Sequence, residues 1–69
     1  MAKAHDYNYE KYRDWKRNIP KNDVLKEEKK DSLLNAIDLG YKDETLEKII
    51  QATTEMQIYL AMRRAREVA

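Results

Sequence analysis

The sequence predicts an all-α fold, a small domain of three to four helices ending in a long C-terminal helix. Three observations carry this reading. One glycine and one proline in 69 residues are too few for a turn-rich β fold. Apolar residues recur at spacings of three and four along much of the chain. There is no cysteine, so neither a disulfide framework nor a thiolate metal site can hold the chain together. Residues 1–69 make one domain at most. Apolar residues are 42% of the chain, enough for a small core.

The first helix is expected from Asp6 to Arg17, with residues 1–5 frayed and Asp6 as N-cap. Tyr9, Tyr12, Trp15 and Ile19 form a stripe down one face, and the rings should fill the core. Asn18-Ile19-Pro20 stops the helix, because proline restricts the residue before it and has no N–H to donate. Asn22 or Asp23 can cap a second helix that opens with Val24 and Leu25. The run from Lys26 to Asp31 has no apolar residue. It reads either as a solvated stretch of one helix or as the boundary between two. Leu33, Leu34, Ile37 and Leu39 resume the apolar pattern, and Gly40 supplies a left-handed terminating position before Tyr41.

The C-terminal helix is expected to start at an Asp43 N-cap and run about 25 residues, nearly 40 Å at ~1.5 Å per residue. Leu46, Ile49, Ile50, Thr53, Met56 and Leu60 would form its inward stripe, which Met62 could extend. Ile58, Tyr59, Met62 and Ala65 fall on a second line. A helix wider than its domain, apolar on two sides, calls for cover from a partner protein or a second copy.

The formal charge of +1 hides a polarised chain. Residues 1–30 hold nine basic and six acidic side chains, net +3. Residues 31–62 hold two basic and six acidic, net −4, and residues 63–69 return to +2. Basic ends therefore flank an acidic middle.

The segment from Ala36 to Ile50 resembles the helix-turn-helix superfamily. Ala36, Gly40, Leu46 and Ile49 stand where that pattern has its packed alanine, its turn glycine and its following apolar residues. The resemblance covers residues 33–50 and implies a DNA-binding regulator. Two features depart from the pattern. Asn35 stands where an apolar residue is usual, and the start of the implied recognition helix carries Asp43, Glu44 and Glu47. Carboxylates there would face phosphates. The same residues also fit a plain helical corner.

Catalysis is not expected. His5 is the one histidine, and zinc-binding, phosphate-cradling and nucleophile motifs are absent. No cofactor, metal or small-molecule substrate is implied. No apolar run approaches the ~18 residues of a membrane span, and residues 1–10 lack the apolar core of a secretory signal, so a cytoplasmic location is expected.

Two function classes remain. The first is a small regulator, adaptor or inhibitor that binds a protein, with self-association through the C-terminal helix. Its contacts would be Ile58, Tyr59, Met62, Arg63, Arg64 and Arg66, with the acidic Asp43, Glu44 and Glu47. The second is a DNA-binding regulator, with Lys11, Arg13, Lys16, Arg17, Lys42 and Lys48 as the nucleic-acid contacts. That reading needs the basic ends to share a face with Lys42 and Lys48.

Overall fold

The computed structural model describes residues 2–68, and the side chains of residues 8–68. Four helices and no strand occur among the described residues: α1 (Ala2–Lys16), α2 (Lys26–Asp38), α3 (Asp43–Gln51) and α4 (Glu55–Val68). α2 is central and packs against the other three, while α3 and α4 also pack against each other. No helix among the described residues is long and apolar enough to cross a membrane.

α1 begins four residues before the expected Asp6, so Asp6 lies inside the helix rather than capping it, and residues 2–5 are helical. The side chains of His5, Asp6 and Tyr7 lie outside the described ones. α1 ends ahead of Pro20 through turn bonds from the Asn18 and Ile19 N–H groups to the Trp15 and Lys16 carbonyls. Ile19 is buried, and Tyr12 and Trp15 pack on the core from its edge. Tyr9 is exposed beside Tyr12, their ring centres 6.3 Å apart.

The question over residues 23–39 resolves as one helix, α2. Asp23 does not cap it directly. Its carboxylate accepts the Leu25 N–H at 2.8 Å and its carbonyl accepts the Lys26 N–H, which shapes the turn into the helix. Leu33, Ala36 and Ile37 face the core, whereas Leu34 is exposed. The polar stretch hides an exception. Lys29 is 2% exposed, paired with Asp23, and its ammonium donates to the Ile50 carbonyl at 2.6 Å. That carbonyl is among the last four of α3, which have no partner within the helix. A cation there also complements the negative end of the helix dipole.

The corner between α2 and α3 closes on Gly40, whose φ is +78°. The Tyr41 N–H donates to the Ala36 carbonyl at 2.9 Å and the Gly40 N–H to Ile37 at 3.1 Å. This is the Schellman arrangement. No atom lies within 4 Å of where a Cβ at Gly40 would stand, so the glycine is required by backbone conformation alone. Gly40→Ala is expected to lower stability by about 1 kcal/mol through left-handed strain, read as a shifted denaturation midpoint with an unchanged slope. Lys42, extended in backbone, takes the N-cap place of α3. Asp43, expected there, is the first helical residue. Its carboxylate pairs with Lys11 of α1 at 3.3 Å, and it joins Glu44 at the positive end of the helix.

The long C-terminal helix is not formed. It breaks at Ala52, whose φ and ψ of −61° and 142° are extended, and the chain restarts at Glu55. The restart is built by two side chains. Thr54 Oγ1 accepts the Gln57 N–H at 3.2 Å, while Gln57 Oε1 accepts the Thr53 N–H at 2.6 Å. This is a close variant of the reciprocal capping box. Thr54→Ala is expected to cost about 1 kcal/mol and to increase amide exchange in the first turn of α4. The longest dimension of the fold is 34 Å, so no helix projects from it as the 25-residue expectation required.

The break changes which side of α4 faces inward. Ile58 and Ala61 are buried, and Met62 packs against the core. Met56 is 61% exposed and Leu60 48%. Leu46 and Ile49 of the expected inward stripe are buried, but its α4 members Met56 and Leu60 point out, while Ile58 and Met62 of the second line face the core and Tyr59 stays exposed.

Candidate functional site

α4 presents an outer face and a flank. Met56, Leu60 and Arg63 lie on the outer face at helical spacing, with Tyr59 beside them, 54% exposed. Arg63 is held along this face by Glu67, four residues on, at 3.2 Å. Three large apolar side chains grouped on one exposed helix face form a patch of the kind that marks interaction surfaces.

Beside that face a groove runs between α3 and α4. Its first section, about 220 Å³, is lined by the apolar Leu39, Tyr41, Ala61, Ala65 and Val68, of which Leu39 and Val68 stand largely exposed. Its second section, about 290 Å³, adds Ala52 and Leu60. Lys48, Ala61 and Arg64 line both sections and make the two continuous. Lys42 and Glu44 stand on the rim of the first.

The expected contact residues divide clearly. Tyr59, Arg63, Arg64 and Arg66 are exposed, as are Asp43, Glu44 and Glu47. Ile58 is a core residue at 5% exposure and is corrected out of the surface, while Met62 is partly buried, packed against the core with some of its side chain still accessible. The structure brings Arg64 to Lys42 and Lys48, linking one basic end to the acidic middle. Lys11 meets Asp43, and Lys16 lies over the Tyr12 ring at 5.4 Å. Arg13 and Arg17 are exposed on and just beyond α1. The Asn8 amide donates to Asp38 at 3.1 Å. Contacts between α1 and the acidic middle thus take up part of the charge polarity within the chain itself.

Met56 and Leu60 were missed as surface residues. The signal that could have found them is Thr54-x-x-Gln57, a helix-start pattern lying inside what otherwise reads as one long helix. Lys29 was missed too, for its partner carbonyl is 21 residues away.

Two hydrogen bonds give Asp23 a distinct electrostatic setting. The hydrogen bond from Lys29, then that from the Leu25 N–H, hold its carboxyl below the ordinary aspartate range. This group belongs to the framework and lies outside the groove. Among the described residues, no cluster of three or more His, Cys, Asp or Glu side chains is placed to hold a metal ion. No family model, no curated protein and no solved structure matches the chain.

Proposed function

We propose that this chain is a small, non-enzymatic, cytoplasmic regulatory protein that acts by binding another protein, as adaptor or inhibitor. The observation that carries the reading is the outer face of α4, where Met56, Tyr59 and Leu60 stand exposed beside Arg63. A 69-residue chain with few core residues would gain stability by burying such side chains, yet they point outward. Grouped apolar residues with adjacent arginines match the usual make-up of a protein interface.

The test is capture from nuclease-treated host lysate, comparing the natural chain with a Met56→Ser, Tyr59→Ser, Leu60→Ser variant of matching circular dichroism. The expected result is a protein retained by the first and lost by the second. Retention of the same protein by both would contradict the reading. So would retained material that disappears with nuclease.

A DNA-binding reading has one observation in its favour. Ala36, Leu46 and Ile49 are buried around the Gly40 turn, a packing that a helix-turn-helix shares with any tight helical corner. Against it, the exposed start of α3 carries Asp43, Glu44 and Glu47. A duplex shift that weakens steeply with salt would favour this second reading.

A further inference from the structure

We infer that the groove between α3 and α4 receives an acidic, apolar segment of a partner protein, with a carboxylate seated between Lys48 and Arg64. The inference rests on the protein-binding reading and adds the chemistry of the partner.

Charge complementarity identifies the occupant. Three cations, Lys42, Lys48 and Arg64, border the groove against one carboxylate, Glu44. None of the three makes an ion pair among the described residues, so all three are open to an outside carboxylate. Lys48 and Arg64 line both sections of the groove, so a carboxylate between them has apolar lining to either side. A carboxylate with an apolar residue on each flank fits that order of surfaces. Its ion pairs would be partly shielded from water by those flanking contacts, which strengthens them relative to fully exposed pairs. The small volume of each section suits single side chains of a peptide.

Other occupants fit less well. Nucleic acid would bring phosphates toward Asp43, Glu44 and Glu47 and leave the apolar lining unused. A second copy would offer Met56, Tyr59 and Leu60, which come with Arg63, to a rim that is already cationic.

The experiment is selection of displayed random peptides on the full chain, followed by affinity measurement with synthetic fluorescent versions. Enriched peptides are expected to combine Asp or Glu with large apolar residues. Their binding should weaken about ten-fold or more on Lys48→Glu, Arg64→Glu, and measurably on Lys48→Gln, Arg64→Gln, which removes the charges but keeps both side chains polar. Lys30→Glu, remote from the groove, should leave it unchanged. Enrichment of apolar peptides without acidic residues, lost on Met56→Ser, Tyr59→Ser, which line neither section of the groove, would overturn the inference and leave the protein-binding reading standing. No enrichment over an unrelated control would overturn both. A dimer in sedimentation that Lys48→Glu, Arg64→Glu dissociates would make a second copy the occupant and overturn the inference. Binding of a random-sequence duplex that the same variant abolishes would overturn it in favour of phosphate.

Discussion

Lys29→Met is expected to cost about 3 kcal/mol, a large share of the roughly 3–10 kcal/mol that a domain of this length commands. The substitution keeps an apolar chain of similar length in a buried position, so little of the loss would come from a cavity. It removes the donor to the Ile50 carbonyl and the cation that faces Asp23. Those two partners come from the loop before α2 and the end of α3, so one side chain ties three parts of the fold together. The effect should also depend on pH. The Asp23 carboxyl titrates lower in the folded chain than in the unfolded one. Its contribution is therefore complete above the unfolded value of about 3.9 and is lost as pH falls from there toward the folded value. Urea unfolding at pH 7 and pH 3 should show a smaller acid-induced loss in Lys29→Met than in the natural chain. Equal losses would remove the pair from any part in acid sensitivity.

The second large effect is a contrast between neighbours on α4. Ile58→Ala is expected to cost about 2–4 kcal/mol, because the side chain is buried in the core. Leu60→Ala should change stability by about 0.5 kcal/mol or less, because its side chain is half exposed on the outer face. A 25-residue continuous helix would reverse the order, with Leu60 inward on the stripe through Leu46, Ile49 and Met56. Equilibrium denaturation of the two variants under identical conditions decides between the two arrangements.

These contrasts show where local sequence carries the fold and where it does not. The Gly40 corner is legible because a left-handed position has few candidates and the chain has one glycine. Leu46 and Ile49 follow from periodicity inside one uninterrupted helix. The phase of α4 does not follow, since both faces after residue 55 hold apolar residues: Ile58, Ala61 and Met62 on one, Met56 and Leu60 on the other. Periodicity alone cannot choose between them once three residues break the helix. The choice is made by the Thr54 and Gln57 hydrogen bonds, which set the start of α4, and by packing against α2 and α3. Lys29 is illegible for a different reason. Its environment is a contact between distant parts of the chain, and in sequence it sits among solvated charges. The candidate surface was half legible on the same grounds. Tyr59 and the arginines were read as exposed, while Ile58 and Met62 stood in for Met56 and Leu60.

Both the proposed interface and the groove beside it depend on the orientation of α4, and the absence of cysteine makes that orientation directly measurable. Single cysteines placed at 56, 58, 60 and 62 can be timed for thiol labelling under native conditions. Positions 56 and 60 are expected to label rapidly, 58 much more slowly, and 62 at a rate between them. Slow labelling at 56 and 60 with fast labelling at 58 would contradict the reoriented helix, and with it the binding surface proposed on its outer face.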